Sequence, residues 1–180
     1  MDFYETTLSS KVIYSGKILS LRLDEVRLPN GKTSTREIVD HPGAVAIVAL
    51  NDKNEVLMVK QYRKPVEEVL LEIPAGKVER GEVHEACAQR ELMEETGFFA
   101  RNLQHITDFY TSPGFCSERM HLYLARDLVK KQGQADDDEY IQLEAVPMEE
   151  AVKKVYDGEI KDAKTISGLL LVYSTLKGAL

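Results

Sequence analysis

Four charged side chains in the stretch Arg90-Glu91-Leu92-Met93-Glu94-Glu95 stand at spacings that suit a helix. Glu91 and Glu95 are one turn apart and Glu94 lies three residues from Glu91, so all three carboxylates can project on one side. Like charges that close repel unless a cation sits among them. A hard divalent ion, Mg²⁺ or Mn²⁺, relieves the repulsion and prefers such oxygen ligands. Arg90, four residues before Glu94, can pair with that carboxylate and hold its orientation. Upstream, the turn Pro74-Ala75-Gly76 can aim the Ala75 carbonyl at the same ion, with Gly76 permitting the close approach. The plainer account, a solvated acidic face, would serve for an isolated Glu-Glu pair. Glu82 reads two ways, as support for the metal site or as a negative charge at the start of the helix. Cys87 and Ala88 read as packing residues. The four histidines, His41, His84, His105 and His121, show no ligand spacing, and none is assigned to a metal.

The elements that must position these groups follow from periodicity. Val83 to Thr96 is strongly helix-forming, with Gly97 as a stop signal. Before it, AVAIVAL (44–50) is a continuous apolar run suited to a strand buried on both faces. EVLMVKQY (55–62) is its partner, and VLLEIPAG (69–76) is a short strand ending in the Pro-Ala-Gly loop. Strands are expected near Gln104–Thr111 and Met120–Ala125, and YIQLEAV reads as another. Two helices close the chain, one with Pro147 in its first turn and one capped by Asp162. The first forty residues read as strands: Leu19, Leu21 and Leu23 alternate with polar residues, and Asn30-Gly31 signals a two-residue hairpin turn with positive φ at both positions. The order predicts an α/β fold in which helices cover a mixed sheet, preceded by a small antiparallel β unit. The expected division is 1–42 for that unit and 43–180 for the main domain.

Composition narrows the class of partner. The 180 residues include 43% hydrophobic and 29% charged positions, ordinary for a globular chain. A net charge of -7 excludes the basic footprint of a non-specific nucleic-acid binder. The longest apolar run is far short of a membrane span. The N-terminus has neither a basic start nor an apolar stretch, so no signal peptide is expected. Cys87 and Cys116 lack zinc-type spacing, which fits reduced thiols and a cytoplasmic setting.

From Gly76 the pattern runs through Glu82 to Arg90-Glu91-Leu92-x-Glu94-Glu95-x-Gly97-Phe98. Seven identities at fixed spacing arise by chance on the order of once in 10⁸ starting points. The stretch resembles the Nudix box at every defining position, which implies the Nudix α/β/α sandwich. The resemblance reaches beyond the box to the ADP-ribose pyrophosphatase branch. LPNGKTSTREIVDHPGAVAIV is similar to that branch's N-terminal swapped region, and VKQYRKPVEEVLLEIPAGK to its approach to the box. FYTSPGFCSERMHLYLA places Pro113 sixteen residues after Gly97, where the family carries a proline associated with ADP-sugars.

The resemblance implies metal-dependent hydrolysis of ADP-ribose to AMP and ribose 5-phosphate, by a homodimer with exchanged N-terminal strands. It implies Arg36 and Arg63 as cationic groups near the substrate, where a planar guanidinium suits phosphate. A surface salt bridge is the plainer reading of each. Tyr110, Ser112 and Glu118 are candidates to line the pocket beside Pro113, and Tyr110 reads equally well as a core aromatic. The family places a mobile catalytic glutamate about forty residues after the box. Glu139 fits it, and Asp137 competes because three aspartates precede Glu139. Other Nudix substrates, GDP-mannose or a dinucleoside polyphosphate, form the alternative, because the box fixes the reaction and not the base or sugar. A non-catalytic nucleotide sensor would be expected to lack box carboxylates, and Glu91, Glu94 and Glu95 are all present.

Overall fold

The computed structural model describes residues 3–131 and 140–178. The chain divides into two compact units, Met1–Gly43 with Tyr110–Arg119, and Ala44–Phe109 with Met120–Leu180.

In the first unit, β1 (Thr6–Ser15), β2 (Ser20–Arg27) and β3 (Thr33–Asp40) form an antiparallel sheet in the order β1-β2-β3. The β2–β3 connection is longer than the two-residue turn expected. The Leu28 N–H donates to the Lys32 carbonyl (2.8 Å), and the Gly31 N–H donates back to Leu28 (2.9 Å). Of Asn30 and Gly31 only Gly31 takes a positive φ, +82°. Pro29 explains the difference: its fixed φ suits the second position of an ordinary four-residue turn, which leaves the left-handed step to Gly31. The segment 110–119 joins this unit through β3. Val39 donates to the Phe115 carbonyl (2.8 Å) and accepts from the Ser117 N–H (2.9 Å).

The second unit is built on β4 (Ala44–Leu50), β5 (Glu55–Arg63), β6 (Glu68–Glu72), β7 (Ala75–Lys77), β8 (Phe98–Tyr110), β9 (Arg119–Lys130) and β10 (Ile141–Pro147), with helices α1 (His84–Thr96), α2 (Met148–Tyr156) and α3 (Ala163–Leu176). The sheet runs β10-β5-β4-β9-β8, with β6 beside β5 and β7 beside β4. β4 is parallel to β9 and antiparallel to β5 and β7, so the sheet is mixed. All seven β4 residues are buried, as the apolar run predicted. Val45, Ile47 and Ala49 pack with Cys87, Ala88 and Leu92 of α1. Ala46, Val48 and Leu50 pack on the other face with Ala151 and Val152 of α2 and Leu169 and Val172 of α3. Period-two alternation of one strand thus feeds two cores, and the layers are α/β/α.

Three local differences from the sequence reading have backbone causes. The run 69–76 is two strands, because Pro74 has no N–H to continue a ladder; its carbonyl accepts from the Ile47 N–H instead (2.8 Å). Pro147 is not in the first turn of α2 but caps it, with φ -50° and ψ 135° that end β10. β8 starts at Phe98, immediately after Gly97 stops α1 in a left-handed conformation (φ 73°). Asp162 caps α3 as expected, accepting from the Thr165 N–H at 3.0 Å. Among the described residues no helix is long and apolar enough to cross a membrane.

Candidate active site

The site begins at the seam between β7 and α1. β4 pairs with β5 at Ala49 and Leu50, and with β7 at Ala44, Val45 and Ala46. This register lays Gly76 directly beneath α1. A Cβ at Gly76 would fall inside the Glu91 carboxyl group, so glycine here lets that carboxylate lie against the strand, by contact and not by φ. The Ala75 N–H donates to Glu95 Oε2 (3.3 Å), which puts the Ala75 backbone beside a second box carboxylate.

Arg90 organises the acids. Its Nε donates to Glu82 Oε1 (2.9 Å) and its Nη2 to Glu82 Oε2 (3.0 Å), a two-pronged clasp. Nη1 donates to Glu91 Oε1 (2.7 Å) and Glu94 Oε2 (2.9 Å). The pairing with Glu94 was expected from the helical spacing. The clasp on Glu82 was not: Glu82 takes the Glu79 N–H (3.0 Å) and anchors Arg90, and its place just before α1 also suits the helix-start reading. Hydrogen bonding from Arg90 holds the Glu82 carboxyl down to about 2, and the same bond raises the Arg90 guanidinium above its ordinary value. Cys87 is fully buried, and burial pushes its thiol up to about 12, as befits a packing residue.

Beside this cluster lies a cavity of about 200 Å³ lined by Ala75, Gly76, Lys77, Glu79, Arg90, Glu91 and Glu94. Its walls bring the Glu79, Glu91 and Glu94 carboxylates, the donor chemistry of a hard divalent cation, beside the cationic Arg90 and Lys77. Glu91, Glu94 and Glu95 rise from one helix toward the strand that carries Ala75 and Gly76, so the residues present fit such an ion.

Arg63 ends β5 and is held by Glu72, with Nε and Nη2 each 2.8 Å from a carboxylate oxygen. Glu72 is itself buried and also takes Lys164. Burial raises the Glu72 pKa, but the bonds from Arg63 and Lys164 outweigh it, and the net shift is downward. Hydrogen bonding to Glu72 raises Arg63, and the charge of Glu95 adds to the rise. Arg63 is therefore a paired arginine within electrostatic range of the box.

The remaining candidates lie in the first unit. Arg36 pairs with Glu5 through Nε (3.0 Å) and Nη2 (2.5 Å). Tyr110 is exposed, not core. Pro113 and Gly114 occupy a turn in which Ser112 accepts from the Phe115 (3.1 Å) and Cys116 (2.9 Å) N–H groups. Glu118 accepts from the Thr111 hydroxyl (2.6 Å). Asp137 and Glu139 lie outside the described residues.

The chain matches the Nudix domain over residues 40–168. It belongs to the Nudix family. Residues 5–39 match the nucleoside diphosphate sugar hydrolase N-terminal domain. ADP-ribose pyrophosphatase of Bacillus subtilis (strain 168) is 48% identical over 98% of this chain and 95% of its own. The methanol dehydrogenase activator of Bacillus methanolicus is 45% identical over 99% of this chain and 96% of its own. A crystal structure of an ADP compounds hydrolase superposes with a TM-score of 0.88 at 24% identity, covering 99% of this chain and 98% of that one, a likeness of fold. The Nudix box of this chain is thus the acidic seam described above, from Gly76 through Glu95 to Gly97.

Proposed function

We propose that this Nudix hydrolase cleaves the diphosphate of ADP-ribose, and of related ADP-sugars, to give AMP and ribose 5-phosphate from ADP-ribose. The observation that carries the reading is the packing of Gly76 against Glu91, which forms a carboxylate cradle open to a cavity of about 200 Å³. The near full-length similarity to an ADP-ribose pyrophosphatase supports the choice of substrate. Glu91, Glu94, Glu95 and the Ala75 carbonyl would hold Mg²⁺ or Mn²⁺. When bound, such ions supply positive charge against the diphosphate and acidify water.

The chain's own residues do the rest. Arg90 fixes the directions of Glu91 and Glu94, and Glu82 fixes Arg90, so the cradle keeps its shape when empty of substrate. Arg63 has five N–H donors, of which Glu72 takes two; the others serve a substrate phosphate. Arg36, Tyr110, Ser112, Pro113 and Glu118 are assigned to the nucleotide and sugar. Glu139 takes the proton of the attacking water, with Asp137 as its competitor, because a carboxylate committed to a cation has less basicity left.

We further place the enzyme as a homodimer in the cytoplasm. Every residue of β1 is exposed, including Leu8, Val12, Ile13 and Tyr14, and β1 is an edge strand. Exposed apolar edges invite pairing with a second copy. The free thiols of Cys87 and Cys116 fit a reducing compartment. The test of substrate is a panel of ADP-ribose, ADP-glucose, GDP-mannose and a dinucleoside polyphosphate with Mg²⁺. The highest kcat/KM is expected for ADP-ribose, and a higher value for GDP-mannose or the polyphosphate would overturn the assignment.

A further inference from the structure

Although the histidines lack any ligand spacing in the sequence, the fold brings two of them to one carboxylate. His105 Nε2 lies 2.6 Å and His121 Nδ1 2.8 Å from the same oxygen of Asp108, Oδ1. Among the described residues, the ligand atoms of these three side chains lie within 4.8 Å of one another. We propose that His105, Asp108 and His121 form a second metal site, for a borderline transition ion of the Zn²⁺ or Co²⁺ type, distinct from the oxygen cradle of the box.

The backbone is shaped for this convergence. Residues three apart on a regular strand point to opposite faces. His105 and Asp108 are three apart on β8 and nevertheless meet one another. Ile106 and Phe109 are also three apart, and both pack against the core beneath α2 and α3. The alternation of β8 is therefore reset once between Ile106 and Asp108, the kind of irregularity that re-aims a side chain. The neighbouring strand β9 presents His121 between Met120 and Leu122, which face that same core, so His121 points to the α1 side. There its ring stacks on His84, the first residue of α1, with centroids 3.6 Å apart and planes at 23°. Tyr123, on the same face of β9, meets the His105 ring edge-on at 5.4 Å. Both imidazoles are thus packed against an aromatic neighbour, which limits how their rings can turn.

The donor set selects the ion. Two imidazole nitrogens and one carboxylate oxygen suit Zn²⁺, Co²⁺ or Ni²⁺ and not Mg²⁺, which keeps all-oxygen shells. With bonds of ~2.0 Å, a tetrahedral ion sets its donors roughly 3.3 Å apart. The present separations of 2.6 and 2.8 Å must open by roughly 0.5–0.7 Å to reach that value. His105 is half exposed and free to make that adjustment, while His121 is 7% exposed and fixed. Three protein ligands leave a fourth position for water on the exposed side. His84 precedes Glu91 by two helical turns, on the order of 10 Å along α1, so the two sites do not share ligands. An ion at this site ties β8 to β9 and stabilises the folded state without entering the hydrolytic cradle.

The test uses Co²⁺ with the full-length protein and with the Glu91→Gln/Glu95→Gln variant, in which the box is disabled. Four-coordinate Co²⁺ with nitrogen donors absorbs strongly in the visible, whereas six-coordinate Co²⁺ on oxygen is pale. One equivalent of the strongly absorbing form is expected in both proteins, displaced by Zn²⁺, with Zn²⁺ raising Tm in both. In His105→Ala, a change at an exposed residue, the band should vanish and Zn²⁺ affinity should fall by more than about 100-fold. Its Mg²⁺-dependent hydrolysis should be unchanged. His121→Gln should behave alike in the metal titration. Only pale Co²⁺ in the wild type would overturn the proposal, as would a band that persists in His105→Ala or disappears in the box variant.

Discussion

At the level of single residues, the division of labour among the acids makes three separable predictions. Glu91→Gln and Glu95→Gln should each nearly abolish hydrolysis while leaving Tm close to the wild type, since each removes a charge from the cradle and little volume. Wild-type turnover at saturating Mg²⁺ in both would refute the cradle as the metal site. Glu139→Gln should lower kcat by roughly 10²–10⁴ with little change in KM, the scale for losing a general base. A large loss in Asp137→Asn together with a near-normal Glu139→Gln would move the base by two residues. Glu82 gives the pH dependence. Its folded pKa is depressed to about 2 from 4.5, so its contribution to stability is fully present above about pH 4.5 and is lost as pH falls toward 2. Denaturant midpoints of wild type and Glu82→Gln should differ at pH 6 and draw together only as pH falls to about 2; a gap that stays constant with pH would exclude the ion pair as its cause. The box was legible in the sequence because its residues are neighbours on one helix. Glu82 was ambiguous because it lies eight residues from Arg90 and outside the helix, where no i,i+4 rule applies. The His105, Asp108 and His121 cluster was invisible because it depends on an irregular strand and on the pairing of that strand with its neighbour.

Secondary-structure elements matter here through how closely they approach. The Glu91 carboxyl of α1 occupies the space that a side chain at Gly76 of β7 would take. Gly76→Ala should therefore displace Glu91 and reduce kcat by about 10²-fold, since misplacement by about 1 Å at a reacting centre costs that much. Circular dichroism should show the fold retained, and an active Gly76→Ala enzyme would mean that the Glu91 carboxyl can move aside without consequence. The approach was foreseen as room for a carbonyl near a metal; the structure gives it a more direct cause in the Glu91 side chain. Strand identities were readable from periodicity, and β4 and the antiparallel N-terminal unit follow the sequence closely. Boundaries failed where proline intervened. Pro29 lengthened a hairpin loop, Pro74 divided one expected strand into two, and Pro147 closed β10 instead of entering α2. Each is a backbone effect that a hydrophobic pattern does not register.

For the molecule as a whole, the exposed apolar residues of β1 bear on assembly. Removal of residues 1–40 should yield a monomer with activity reduced at least tenfold, because a three-stranded sheet of that size has too little core to stand alone. Sedimentation of the full chain as a dimer and of the deletion as a monomer would support the arrangement, and a fully active monomeric deletion would end it. The sheet also constrains the order in which the chain can mature. Ala44 lies in register with Met120, so β4 waits for a partner 76 residues further on (120 - 44). By contrast, the ladders β1-β2 and β2-β3 join sequence neighbours and can close as soon as Asp40 has been made, with the Val39 bridge to residues 115–117 added later. During synthesis at about 5–20 residues per second, β4 therefore spends several seconds as an apolar segment with one parallel neighbour still missing. The nascent enzyme is in that interval a natural client for chaperones that bind extended hydrophobic segments, with Ala44–Leu50 as the segment they would hold.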